Sequence, residues 1–151
     1  MSELNDLYQE VILDHNRRPR NFSTVPDANR SAEGYNPLCG DRITVTLRMN
    51  GDRIEEIGFQ GAGCAISTAS ASLMTEAVKG KREAEIDEIF RDFHLLATGD
   101  GGRHGSQIER LGSLAVFGGI SQYPVRVKCA TLAWHTLKAA LENRPEPVST
   151  E

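Results

Sequence analysis

The sequence contains three cysteines, and each lies where the local sequence favours a thiolate. Cys39 occupies a turn ahead of a predicted strand, and Gly40 allows the chain to bend so that the Asp41 carboxylate points to the same place. Cys64 follows a Gly-Ala-Gly run at the start of a predicted helix, where free N–H groups stabilise negative charge. Cys129 lies early in the last predicted helix. All three thiols are therefore candidates for metal binding or for nucleophilic chemistry.

Three thiols and one carboxylate make a set of four metal ligands. Zinc binds sulfur and oxygen donors in a tetrahedron, so we predict one zinc ion held by Cys39, Asp41, Cys64 and Cys129. Their spacing differs from the local pairs of a zinc finger, and the ligands meet only if the fold brings three distant segments together. Two alternatives stay open: a free cysteine is often a buried core residue, and Asp41 alone could be a turn residue.

Two cations precede the last cysteine. We expect the charges of Arg126 and Lys128 to lower the pKa of the Cys129 thiol by simple attraction. Taken alone, both side chains are equally typical of a solvated helix start.

The four histidines do not join this set. His15 is predicted to end the first helix, where a cation interacts favourably with the helix dipole. His94 is predicted on the polar edge of its helix, and His135 off the face that carries the last cysteine. His104 lies in a glycine-rich loop, 98–105, without a partner at ligand spacing, and this loop lacks the glycine pattern of a phosphate-binding loop.

Length and composition predict a single soluble domain, 1–151. Of the 151 residues 25% are charged and 39% hydrophobic, and the net charge is −4. A negative net charge argues against a nucleic-acid partner, which calls for a basic face. The N-terminal residues carry acids and no long apolar run, so we expect neither a secretory signal nor a membrane partner. The expected location is the cytoplasm, where thiols stay reduced.

Hydrophobic periodicity predicts an α+β fold, with a small antiparallel sheet of about three strands and helices packed mainly on one face. The Asn50-Gly51 pair between two alternating apolar runs predicts a hairpin, and a short strand is predicted before it, around residues 32–35. Helices are predicted over residues 4–15, 64–78, 83–97, 106–114 and 125–141, and the tail 142–151 is predicted to fray.

Three cysteine motifs, in order, resemble those of the NifU/IscU family of iron–sulfur cluster assembly proteins. They are Asn-Pro-Leu-Cys-Gly-Asp at 36–41, Gly-Ala-Gly-Cys-Ala-Ile-Ser at 61–67 and Arg-Val-Lys-Cys-Ala at 126–130. The first helix, with Leu-Tyr at 7–8 and Pro-Arg-Asn at 19–21, is also similar to the opening of that family. The resemblance extends over about residues 3–142.

Within the family the chain is most similar to the SufU branch. IscU-type scaffolds carry a histidine immediately before the last cysteine, and here that position is Lys128. The stretch between Cys64 and Cys129 is also longer than in IscU-type chains, as in SufU. The chaperone-recognition motif of IscU is represented only by Tyr-Pro-Val-Arg-Val-Lys at 123–128.

The resemblance implies a SufE/NifU-like α+β sandwich that binds zinc through Cys39, Asp41, Cys64 and Cys129. It also implies that Cys39 accepts sulfur, as a persulfide, from a cysteine desulfurase of the SUF pathway. The downstream partner is then a SUF scaffold or an apo iron–sulfur protein. A zinc-bound thiolate is deprotonated yet shielded, and it becomes a nucleophile when another ligand displaces it.

Three points stay open at this stage. The same ligands suit a [2Fe–2S] cluster, in which case the protein is a scaffold that passes the cluster on. A closed four-ligand site is also the pattern of a structural zinc protein. Finally, Cys129 is a rival sulfur acceptor, because Arg126 and Lys128 could favour an incoming anionic persulfide.

Overall fold

A computed structural model describes residues 2–99, 111–144 and 147–149 of the chain. The first helix, α1, covers Ser2–Arg17, and three strands follow it: β1 Arg30–Asn36, β2 Asp41–Asn50 and β3 Arg53–Ala62. Next come α2 (Ala65–Val78), α3 (Glu83–Thr98), a 3₁₀ helix (Gly112–Gln122), α4 (Pro124–Leu141) and the short strand β4 (Val148–Ser149). This order confirms the predicted α+β class.

The strands form one sheet in the order β3-β2-β1-β4. The predicted hairpin is present, with Asn50 paired to Arg53 at its closed end. The prediction of about three strands is one short, because β4 pairs with β1 in parallel through Gly34↔Val148 and Tyr35↔Ser149. This fourth strand lies in the segment that was predicted to fray, and its two residues are too few to leave a periodic pattern in the sequence.

Helices α2 and α4 pack against the strands of the sheet, and α1 and α3 pack against these two helices. Contacts between α4 and strands β1 and β2, and between α2 and both α1 and α4, bring them together around one core. Its largest fully buried side chains include Trp134 of α4, Phe93 of α3 and Leu47 of β2. Helix α2 is rich in small residues, and this composition allows α1 and α4 to approach it closely. None of the helices in the described part of the chain has both the length and the apolar character needed to cross a membrane.

Two sequence predictions need comment. Residues 100–110 lie outside the described residues, and with them His104, most of the loop 98–105 and most of the predicted helix 106–114. From Gly112 onward the chain forms a 3₁₀ helix, in a stretch whose several glycines lower α-helix propensity. His15 does lie in the last turn of α1, as predicted. Its expected role as a cation there is wrong, because the side chain is buried against Ser72 of α2 and burial lowers its pKa.

Candidate metal centre

The four predicted ligands come from three segments that meet at one end of the sheet. Cys39 lies in the four-residue turn between β1 and β2, and Asp41 is the first residue of β2. Cys64 is the N-cap of α2, and Cys129 lies in the second turn of α4. The turn requires Gly40, whose φ of +72° belongs to the left-handed region that glycine adopts readily. The predicted bend at Gly40 is confirmed.

Three of the four side chains form a compact group. The ligand atoms of Cys39, Asp41 and Cys129 all lie within 4.8 Å of one another. The Sγ atoms of Cys39 and Cys129 are 3.4 Å apart. Cys129 is 90 residues from Cys39 in the sequence, so the fold brings three of the four predicted donors together.

Cys64 adjoins this group through hydrogen bonds. Its backbone N–H donates to Oδ1 of Asp41 at 2.9 Å, and its Sγ accepts from the backbone N–H of Ser67 at 3.4 Å. In the structure the Cys129 thiol donates to Sγ of Cys39 at 3.4 Å. As a hydrogen-bond donor to the thiolate form of Cys64, it is also the main reason why the pKa of Cys64 falls to about 7. The sequence-based expectation that Cys64 favours a thiolate is confirmed. We call Cys39, Asp41, Cys64, Cys129 and Asn36 the thiol cluster.

Cys129 behaves in the opposite way. Its thiol gives its proton to the hydrogen bond with Cys64 and is buried, and both effects raise the pKa of Cys129 far above the usual range. The prediction that nearby cations lower this pKa is therefore wrong. The guanidinium group of Arg126 instead lies over the ring of Tyr123, 4.8 Å from its centroid, and the half-buried Lys128 is not among the main causes of the shift.

Asn36, the first residue of the motif at 36–41, belongs to this cluster, although the sequence did not predict a role for it. It is fully buried at the end of β1. Its Nδ2 donates to Oδ2 of Asp41 at 3.2 Å and to Sγ of Cys129 at 3.4 Å. A polar residue directly before the Pro-Leu-Cys turn is a signal that could have identified it.

Gly63 is a second residue that the sequence reasoning left without a role. A Cβ atom at this position would lie 2.7 Å from Oδ1 of Asp41 and 3.2 Å from its Cγ. Any larger side chain would therefore displace the carboxylate. The glycine leaves room for the carboxylate beside the start of α2.

Exposure separates the three thiols. Cys39 and Cys64 are exposed, whereas Cys129 is buried. Leu38, which precedes Cys39 in the turn, is 62% exposed, so the turn projects into solvent. An incoming reactant can reach the sulfur of Cys39 but is shielded from that of Cys129.

The donor set fits a zinc ion. Tetrahedral bonds of about 2.3 Å to sulfur and 2.0–2.2 Å to oxygen place neighbouring ligand atoms about 3.5–3.8 Å apart. The separation of 3.4 Å between two of the sulfurs, and the 4.8 Å limit for the compact group, differ from these values by amounts that small side-chain rotations supply. Cys64 adjoins this group, and its place as a fourth donor is a prediction from the sequence. Soft thiolates of this kind also suit iron–sulfur clusters, so the geometry alone leaves the metal open.

Comparison with known proteins assigns the chain to a family. The profile of the NifU-like N terminal domain matches residues 7–147. The chain is 39% identical over 142 residues to the iron-sulfur cluster assembly scaffold protein IscU of Streptococcus pyogenes serotype M1, covering 94% of this chain and 87% of that one. It is 40% identical over 140 residues to the zinc-dependent sulfurtransferase SufU of Bacillus subtilis strain 168, covering 91% and 90%. Among solved structures, FiSufU from Fervidobacterium islandicum AW-1 matches with a TM-score of 0.81 and 34% identity, covering 89% of this chain and 96% of that one.

Proposed function

The chain belongs to the family of NifU-like N-terminal domains, the IscU/SufU family of iron–sulfur cluster assembly proteins, and we propose that within it the chain acts as a zinc-dependent sulfur acceptor. The zinc ligands are Cys39, Asp41, Cys64 and Cys129. The sulfur donor is the persulfide of a cysteine desulfurase of the SUF pathway, and the accepting atom is Sγ of Cys39. A downstream SUF scaffold or an apo iron–sulfur protein receives the sulfur, in the cytoplasm.

One observation carries this proposal: the exposed Cys39 belongs to a turn, whereas its neighbour Cys129 is buried on a helix. A turn of four residues can swing outward without unfolding a helix or a strand. Cys129 is held more firmly, because the hydroxyl of Ser70 on α2 donates at 2.6 Å to the carbonyl of the adjacent Ala130. Cys39 is therefore both exposed and in a turn that can move, whereas Cys64 is exposed but fixed as the N-cap of α2.

The chemistry needs no further oxidant or reductant. Bound zinc keeps the thiols of the cluster deprotonated at neutral pH. The Cys39 thiolate attacks the terminal sulfur of the desulfurase persulfide and forms a new S–S bond. The S–S bond of the desulfurase breaks at the same time, and its cysteine leaves as a thiolate. The sulfane sulfur thus passes from one cysteine to another at constant oxidation level.

The test is incubation of the zinc-loaded protein with a SufS-like cysteine desulfurase and cysteine, followed by mass spectrometry of the cysteine peptides. We expect one added sulfur on the Cys39 peptide. Cys39→Ser should lose both this label and the stimulation of the desulfurase while it stays folded. Asn29→Ala is the control, because its side chain bonds to the backbone of Met49 and belongs to no part of the site, and it should keep both the label and the stimulation. Label on the Cys129 peptide, with Cys39→Ser still active, would overturn the assignment.

A second candidate function is a scaffold that assembles a [2Fe–2S] cluster on the same residues. The name of the Streptococcus pyogenes relative favours it, since that protein is a scaffold protein. Metal content of protein purified without added metal separates the two functions. About one zinc per chain in a colourless protein supports the sulfur acceptor, and iron with visible charge-transfer absorption supports the scaffold. Zinc without any sulfur transfer would leave a structural zinc site.

A further inference from the structure

Asn36 contacts three of the four candidate ligands. Its backbone pairs with that of Asp41 across the hairpin, and its carbonyl oxygen accepts from the N–H of Cys39 at 3.3 Å. Its side-chain amide donates to Oδ2 of Asp41 at 3.2 Å and to Sγ of Cys129 at 3.4 Å. The contact with Cys39 is through the backbone, whereas Asp41 and Cys129 receive side-chain hydrogen bonds on their ligand atoms.

Within the described part of the chain, the burial of this amide leaves one of its two polar atoms unpaired. Asn36 is fully buried, and its Oδ1 has no hydrogen-bond partner among the residues that the structure describes. An unpaired buried oxygen destabilises a folded protein, and an apolar side chain of similar volume would avoid that cost. The other half of the amide donates to a carboxylate and to a thiol that becomes a thiolate on metal binding. Hydrogen bonds to ionised acceptors are about twice as strong as neutral ones.

We propose that Asn36 is a positioning residue, whose amide fixes Cys129 and Asp41 as permanent ligands and so leaves Cys39 as the ligand that departs. The inference rests on the zinc site of the proposed function. A thiolate that accepts an N–H hydrogen bond has less electron density to offer an electrophile, and its orientation is fixed. The amide thus keeps Cys129 on the metal and unreactive. The sulfur of Cys39, which the amide does not contact, stays free to leave.

Two substitutions separate this role from simple packing. Asn36→Leu keeps most of the volume and removes both donors, and Asn36→Asp keeps the shape but cannot donate when ionised. Asn29→Ala is the matched control, because Asn29 bonds through its side chain to the backbone of Met49 in the same sheet and touches none of the thiols. Zinc alone is the ligand, and no desulfurase is needed.

Each variant is tested in two ways. Competition with a chelator measures its zinc affinity, and treatment of the zinc-loaded protein with iodoacetamide measures how much each cysteine peptide is alkylated. We expect Asn36→Leu to weaken zinc binding about 10–100-fold, the usual effect of losing a hydrogen bond to a metal ligand. Alkylation of Cys129 relative to Cys39 should rise about tenfold, whereas Asn29→Ala should match the native protein in both measurements. Native affinity and native alkylation order in Asn36→Leu would overturn the proposal.

A measurement on the native protein covers the case in which the variants do not fold. In protein labelled with ¹⁵N, the side-chain amide protons of Asn36 should shift downfield and exchange more slowly when zinc is added, and those of Asn29 should not. Unchanged Asn36 resonances in zinc-loaded protein, or a native protein that binds no zinc, would refute the proposal. Failure of sulfur transfer with these zinc effects intact would refute only the proposed sulfur-acceptor function.

Discussion

Two polar clusters pack against helix α2, and they are built on different principles. The thiol cluster lies at the N-terminus of the helix. The second, which we call the His15 cluster, lies further along it and consists of His15, Arg20, Asn21, Ser72 and Thr75. Both bring together polar groups from distant parts of the chain. They differ in how donors and acceptors are balanced.

Donors and acceptors are matched in the His15 cluster. Nδ1 of His15 and the hydroxyl of Ser72 share a hydrogen bond of 2.7 Å, and the backbone N–H of Arg20 donates to the same hydroxyl at 2.8 Å. The amide of Asn21 donates to the hydroxyl of Thr75 at 2.9 Å. This balance holds α1 and the segment after it against α2. The His15 cluster therefore stabilises the packing of α1 on α2, and its hydrogen bonds form without a bound cation.

Acceptors dominate the thiol cluster. Three sulfurs and a carboxylate share a few N–H donors, and Cys129 must keep its proton so that Cys64 can be a thiolate. Such an arrangement becomes strongly repulsive when every thiol is ionised, unless a cation lies among them. A polar cluster with more acceptors than donors therefore indicates a cation-binding site, whereas a cluster with matched donors and acceptors indicates a purely structural role. Four predictions test this distinction.

Removal of the metal should produce the largest effect. We expect a chelator to lower the melting temperature by roughly 10 °C, because zinc at about 1,000 times its dissociation constant stabilises a fold by about 4 kcal/mol. Differential scanning calorimetry of zinc-loaded and chelator-treated protein measures this shift. Identical melting curves would mean that no metal links the three segments.

Asp41→Asn should weaken zinc binding by about a hundredfold, and the metal-free protein should still fold but melt at a somewhat lower temperature, because the new amide nitrogen faces the Nδ2 donor of Asn36. The amide oxygen still accepts the hydrogen bond from the backbone of Cys64, but the negative charge and the oxygen ligand are lost. Competition with a chelator gives the affinity, and thermal melting of the metal-free form serves as the control. An unchanged affinity would make Asp41 a turn residue rather than a ligand.

Ser72→Ala, in the His15 cluster, should lower the stability of the fold without changing zinc binding. The substitution leaves the ring of His15 and the N–H of Arg20 without their partner, so the free energy of unfolding should fall by about 1–3 kcal/mol. Zinc affinity should be unaffected. Urea unfolding of the zinc-free protein and a zinc titration test the two statements separately. A loss of zinc affinity would show that the clusters are coupled through α2.

The smallest expected effect is the pH dependence of Cys64 alkylation in the metal-free protein. The pKa of Cys64 is about 7 in the folded protein, so its alkylation in the metal-free form should be half-maximal near pH 7. Because the pKa of Cys64 is lower in the folded protein than in the unfolded chain, its thiolate stabilises the fold above the pKa of the unfolded chain. This stabilisation is lost as the pH falls towards 7. Cys129→Ala removes the thiol that donates to Cys64, so the half-maximal pH should move upward. An unchanged pH profile would exclude the hydrogen bond from Cys129 as the cause of the lowered pKa.

Local sequence was sufficient for most of the fold. The limits of α2 follow from its run of small residues and the flanking glycines, and those of α3 follow from its apolar period. The hairpin at Asn50-Gly51 follows from turn chemistry. Those features depend on residues within a few positions of one another. The strand β4 was missed because two residues pair only where the end of the chain meets β1.

The sequence by itself also determined which donors are available and that Cys64 begins a helix, and its motifs indicated the family. Only the tertiary structure decided which sulfur is exposed, which one keeps its proton, and that Asn36 and Gly63 adjoin the carboxylate. The charges beside Cys129 in sequence predicted a lowered pKa, and contacts with distant residues reversed it. Burial and hydrogen bonding depend on groups that fold together from remote segments, and in a site of low dielectric these outweigh a solvated charge a few residues away.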